Sequence, residues 1–153
     1  MAELQPPYSK EQLVQLFAQD VPFETLQHIA TLLDPEPLRF APDQPIVMQG
    51  EPGDGLYFIA QGTVQVTMKP LGPGSPIPPI RLAELAAGDV FGEMALVNDE
   101  PRSATVAAVT DVMAYRLGMD NWRHIEAFYP GLAARVREIA EQRAGELATQ
   151  GNP

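Results

Sequence analysis

Phe91-Gly92-Glu93-Met94-Ala95-Leu96-Val97-Asn98-Asp99-Glu100-Pro101-Arg102-Ser103-Ala104-Thr105-Val106 is the stretch on which the reading of this chain turns. Gly92 lacks a side chain, so another group can approach the backbone closely there. The composition from Glu93 to Val97 favours one or two helical turns, and Asn98-Asp99 stops them. The first amides of such a helix have no intrahelical partners, which suits an anion. Arg102 follows Pro101, whose fixed φ stiffens the approach. A planar guanidinium beside free backbone donors matches a phosphate. Glu93 is the odd member, since a carboxylate repels a bound anion unless the ligand brings a donor. A ribose hydroxyl beside the phosphate is such a donor, which points to a sugar phosphate or nucleotide of modest charge. The plainer alternative is that Glu93 complements the helix dipole and Arg102 is a surface arginine.

Working outward, the surroundings read as β structure between helical ends. Upstream, Leu38–Phe40 and Ile46–Met48 are short strands, and Glu51-Pro52-Gly53-Asp54 has the composition of a type II turn. Leu56–Ala60 is a wholly apolar strand. Gln61-Gly62 turns it into Thr63–Met68, where Val64, Val66 and Met68 alternate with polar residues. Lys69–Pro79 is a Pro/Gly loop, a variable hairpin connection or a ligand for a proline-recognising module. Ile80–Leu85 follows, then Gly88-Asp89 leads into the opening stretch. Ser103–Val109 and Val112–Leu117 are the last strands. About eight short strands with closely spaced turns predict an antiparallel jelly-roll-like β-barrel with flanking helices, an α+β fold.

The helical ends have their own signals. Ser9 with Gln12 three residues on makes a capping box for a helix bearing Leu13, Leu16 and Phe17. Pro22 opens a second helix with Phe23, Leu26, Ile29, Ala30 and Leu33. Asp34-Pro35-Glu36-Pro37 ends it. Asp120 is placed to cap a helix bearing Trp122, Ile125 and Phe128, and Pro130 opens the final helix after a hinge at Tyr129-Pro130. In that helix Leu132, Val136, Ile139 and Leu147 share one stripe. Arg143 sits in the same stripe, where it needs a carboxylate, a flat π surface, or a route for its charge to snorkel to solvent. Gly145 weakens the helix beyond it. Residues 1–8 and 149–153 are expected to be loose tails of one domain spanning 1–153.

The quoted stretch resembles the phosphate-binding cassette of the cyclic nucleotide-binding domain family, which runs Phe-Gly-Glu-(aliphatic)-Ala-Leu, a short gap, then Arg-(Ser/Thr/Ala)-Ala-Thr-Val. Gly50-Glu51-Pro52-Gly53-Asp54-Gly55-Leu56-Tyr57-Phe58-Ile59 and Gly62-Thr63-Val64 resemble the turn and hairpin that precede it. The likeness covers roughly residues 10–148. It implies that backbone groups of Gly92, Glu93 and Ala95, with the side chains of Arg102 and Ser103, hold a cyclic phosphate. It implies that Glu93 accepts from the ribose 2′-hydroxyl and that Arg143, on a lid helix, contacts the base. Val64, Leu82 and Met94 would line the base. Ser103, where the family carries Thr when guanine is preferred, leans towards cyclic AMP over cyclic GMP. The implied protein is a non-catalytic regulatory sensor with no cofactor beyond its nucleotide. Channel-like segments suggest a bacterial channel's cytoplasmic domain or a partner docking on an effector.

Composition narrows the alternatives. Twenty acids against ten bases give a net charge of −10, a field that opposes direct nucleic-acid binding. A transcription-regulator sensor lacking its DNA-binding part is a second reading. A cupin-like enzyme is a third, but it would need several ligands on strands. The two histidines, His28 and His124, fall in expected helices. There are no cysteines, no stretch of about 18 apolar residues, and no basic-apolar leader in Met1–Pro7. A cytoplasmic setting is expected. Sixteen prolines, about twice the ordinary share, punctuate many short elements.

Overall fold

The computed structural model describes residues 6–18, 21–98 and 100–151, with the side chains of 95, 97, 98 and 144–151 outside the description. Helices α1 (Lys10–Phe17) and α2 (Phe23–Thr31) precede strands β1 (Leu38–Phe40), β2 (Pro45–Val47), β3 (Gly55–Gln61), β4 (Thr63–Met68), β5 (Ile80–Ala86) and β6 (Val90–Phe91). A short helix α3 (Glu93–Asn98) follows, then β7 (Thr105–Ala108), β8 (Val112–Gly118), α4 (Met119–Phe128) and α5 (Pro130–Gly151). The strands form two antiparallel four-stranded sheets, ordered β1-β8-β3-β6 and β2-β7-β4-β5. The jelly-roll arrangement expected from the sequence is present, but the sheets do not close into a barrel.

The apolar run of β3 has a simple cause. Tyr57 and Ile59 face the second sheet, packing with Val47, Val64, Phe91, Val106, Val112 and Ala114. Leu56, Phe58 and Ala60 face the helices, packing with Leu13, Val14, Leu26, Ile29, Trp122, Ile125 and Val136. A central strand covered on both faces has no polar side to show, so alternation disappears. In β4, Val64 packs in the core between the sheets and Val66 against it, while Thr63 and Gln65 are half-exposed, the alternation of a strand with one buried face.

Local signals at the helix ends match in part. Ser9 and Gln12 form the reciprocal cap, Ser9 Oγ accepting from the Gln12 N–H at 3.1 Å and Gln12 Oε1 from the Ser9 N–H at 2.9 Å. Helix α4 begins two residues earlier than expected. Its N-cap is Gly118, and Asp120 sits inside the first turn, where its charge faces the dipole without capping. The helical break is where proline puts it, with Tyr129 at φ −133, ψ 63 between α4 and α5. The tight turn after β2 is displaced from the expected Glu51–Asp54. Glu51 N–H donates to Met48 O at 3.1 Å, with Gly50 at φ 91. Gly50 supplies the positive φ that this turn needs at its third position. The expected N-terminal tail is docked at its end, where Tyr8 N–H donates to Ala60 O at 2.9 Å; residues 1–5 lie outside the described residues. Helix α5 continues to Gly151, past the expected end at 148, since one interior glycine costs only about 1 kcal/mol. Residues 152 and 153 lie outside the description. No helix among the described residues is long and apolar enough to cross a membrane.

Candidate functional site

A cavity of about 640 Å³ opens between the second sheet, α3 and α5, within the size range of small-molecule sites. Val66, Leu82, Leu85 and Val106 give it an apolar wall, and Gly92, Glu93, Met94, Arg102 and Ser103 form its polar end. Helix α5 contributes Arg135, Ile139, Gln142 and Arg143, residues at helical spacing on one face.

Arg102 is 5% exposed, so its charge must be matched. Its Nη1 donates to Gly92 O at 2.9 Å, and its Nη2 donates to Asp54 Oδ1 at 2.7 Å and Gly55 O at 3.1 Å. The guanidinium also lies over the Tyr57 ring at 5.9 Å, and Tyr57 stacks on Phe91 at 5.0 Å. The backbone of Arg102 is pinned by the displaced turn: its N–H donates to Glu51 O at 2.7 Å, and Gly50 N–H donates to Arg102 O at 2.8 Å. Gly92, at φ 91, is the residue that lets this packing happen. A Cβ there would lie 2.5 Å from Arg102 Nη1 and 2.9 Å from Gly55 O.

Asp54 carries three donors. Tyr57 Oη donates to both carboxylate oxygens at 3.1 and 3.0 Å, Arg102 to Oδ1, and Arg116 Nη1 to Oδ2 at 3.2 Å. Burial pushes its pKa up, but the bonds from Tyr57, Arg102 and Arg116 and the charge of Arg102 outweigh that and hold it below the ordinary value. Burial first, then the charge of Asp54 and its bond to the phenol, push Tyr57 up to about 12.

Glu93 is 3% exposed. Its Oε2 accepts from Arg143 Nη1 at 2.8 Å, and the same Nη1 donates to Val90 O at 2.8 Å. The arginine in the α5 stripe thus has a carboxylate partner, one of the three possibilities the sequence left open. The buried face of α5 is Ala133, Val136 and Ala140, and Arg143 lies on the flank that meets the cavity. The side chain of Leu147 lies outside the described residues. Ser103 Oγ donates to Met94 Sδ at 3.6 Å, closing the polar end.

Of the residues expected at the site, Gly92, Glu93, Met94, Arg102, Ser103, Arg143 and Leu82 line this one cavity. Val64 does not. It is fully buried in the core between the sheets, and Val66, one inward position further along β4, takes the wall place. Ala95 lies in the first turn of α3, its side chain outside the description. His28 and His124 stand on α2 and α4, their rings 5.8 Å apart, and neither lines the cavity. Sequence reasoning missed Asp54, whose role depends on a partner 48 positions away. It also missed Phe17 and Leu16, which α1 brings to the cavity rim while Leu13 and Val14 take the core.

The cavity therefore combines a buried cation, a buried carboxylate and an apolar wall, a receptor for an amphipathic anion that carries a donor. A sequence model of the cyclic nucleotide-binding domain family matches residues 37–127, and the chain belongs to that family. Over 100 residues it is 38% identical to a cyclic nucleotide-gated potassium channel of Rhizobium etli, an alignment covering 65% of this chain and 25% of the channel. Among solved structures it is similar to the regulatory domain of Toxoplasma gondii PKA crystallised with cAMP, at 28% identity and TM-score 0.73, covering 90% of this chain and 49% of that one. It is also similar to the Thermus thermophilus catabolite activator protein, at 26% identity and TM-score 0.75, covering 88% and 60%. The chain spans about a quarter of the length of the channel relatives it matches.

Proposed function

We propose that this chain is a cyclic AMP-preferring sensor whose final helix carries the signal to an effector. The observation that carries the reading is the convergence of Arg102, Glu93, Ser103 and Arg143 on one cavity with an apolar wall. In this reading the cyclic phosphate meets the α3 amides, Arg102 and Ser103. The ribose 2′-hydroxyl donates to Glu93 through the carboxylate oxygen that Arg143 does not occupy. The base lies against Val66, Leu82 and Met94, under α5. The preference for adenine rests on Ser103, by resemblance to the family.

The attachment of α5 supports the lid role. It joins through the Tyr129-Pro130 break and is tied to the cavity by Arg143, so a ligand touching both α3 and α5 favours one arrangement by its differential affinity. The likeness to a potassium channel supports a cytoplasmic domain acting on a membrane effector; the likeness to a catabolite activator supports the sensor part of a transcription regulator as a second reading. A charge of −10 speaks against DNA contact by these residues. Hydrogen exchange with and without cyclic AMP tests the whole reading. Protection should rise at residues 92–103 and 132–143, with 56–60 unchanged and cyclic GMP needed at higher concentration. No change at either segment with saturating nucleotide contradicts it.

A further inference from the structure

Asp54 is shared between two arginines, and only one of them touches the cavity. Arg102 lines it; Asp54, Arg116 and Asp34 do not. Arg116 stands on β8 directly opposite Tyr57 of β3, which places its Nη1 3.2 Å from Asp54 Oδ2. Its Nε donates to Asp34 Oδ2 at 3.1 Å, and Asp34 N–H donates back to Arg116 O at 2.8 Å. The result is a chain of alternating charge, Arg102–Asp54–Arg116–Asp34, running from the cavity to the segment that follows α2.

We propose that Arg116 is a positioning residue for anion binding, which holds Asp54 and draws on its charge so that Arg102 stays oriented and incompletely neutralised towards the ligand. This rests on the reading of the cavity as a cyclic nucleotide site. Three physical effects bear on the outcome and share one sign. Without Arg116, Asp54 has one cation fewer and neutralises Arg102 more fully. It also loses one of the bonds that fix its orientation, and with it the orientation of Arg102. The anion further loses a favourable charge at longer range. Arg116 is about one-third exposed at its side chain, so solvent screens each effect and the sum is moderate. Asp34 acts in the opposite direction, since its carboxylate competes with Asp54 for Arg116.

Calorimetric titration of the whole chain with cyclic AMP tests this through a small set of variants. Arg116→Gln should raise the dissociation constant about three- to tenfold, the size of a coupling between neighbouring groups. Arg116→Lys should recover most of that loss, and Asp34→Asn should leave affinity unchanged or improve it. In an Asp54→Asn background, Arg116→Gln should change affinity by less than about twofold, because the group it acts through has lost its charge. Thermal unfolding of each variant confirms a folded protein. A loss above about twofold in the Asp54→Asn background, an equal loss in Asp34→Asn, or no recovery by lysine assigns Arg116 a merely structural role and overturns the proposal. Wild-type protein that binds neither cyclic AMP nor cyclic GMP overturns the functional reading and this proposal together. Wild-type binding with Arg116→Gln unaffected overturns this proposal alone.

Discussion

Gly92→Ala perturbs the point at which backbone and buried arginine meet. The new Cβ would stand 2.5 Å from Arg102 Nη1 and 2.9 Å from Gly55 O. The first contact could be relieved by a shift of the guanidinium, but the second is backbone in a central strand and cannot give as easily. Holding alanine at φ 91 adds about 1–2 kcal/mol. A displaced Arg102 loses its bond to Gly92 O or to Gly55 O, worth roughly 1.5–3 kcal/mol for a charged donor. The combined loss of stability is roughly 2–5 kcal/mol, which lowers the thermal midpoint of a chain this size by roughly 5–15 °C. Thermal unfolding followed by circular dichroism reads it, and titration with cyclic AMP should show weakened binding in the same variant. A Gly92→Ala protein with wild-type midpoint and wild-type affinity would refute the packing of Arg102 against Gly92 as the foundation of the site.

Glu93→Gln should weaken cyclic AMP binding less than removal of Arg102 does, and should narrow the gap between cyclic AMP and its 2′-deoxy analogue. A wild-type protein indifferent to the 2′-deoxy compound removes Glu93 from ribose recognition. Ser103→Thr should move preference towards cyclic GMP; an unchanged ratio of the two dissociation constants places base choice elsewhere. The partners of Asp54 hold its pKa below its ordinary value in the folded chain, so its contribution to stability is complete above that ordinary value and is lost as pH falls through the lower, folded one. Melting temperatures from pH 6 down to pH 2 should therefore fall less steeply at the acid end in Asp54→Asn than in wild type, and parallel curves would contradict the ion-pair network around Asp54.

Much of the fold was legible because its signals are local. The capping box at Ser9 and Gln12, the proline break at 130 and the cassette from Phe91 to Val106 each depend on residues within a few positions. What the sequence left unread depends on depth and on distant partners. Alternation in β4 put Val64 and Val66 on one face, but not which lies under the core and which on the cavity, a matter of about 7 Å along the strand. The stripe on α5 exposed Arg143 as anomalous; only the fold shows that Glu93, 50 positions earlier, receives it. Asp54 reads as a turn residue, and its pairing with Arg102 and Arg116 exists only once β3 and β8 lie side by side. Closure of a barrel is likewise a property of sheet edges, and no count of strands reveals it.

Titration of cyclic AMP into wild-type and Arg102→Ala protein, in one buffer and with both shown to be folded, tests the central claim most directly. Wild type should saturate at one nucleotide per chain. Arg102→Ala should lose roughly 2–4 kcal/mol of binding free energy, or roughly 30- to 700-fold in affinity. Equal affinities would contradict the assignment of the cavity as the cradle of a cyclic phosphate.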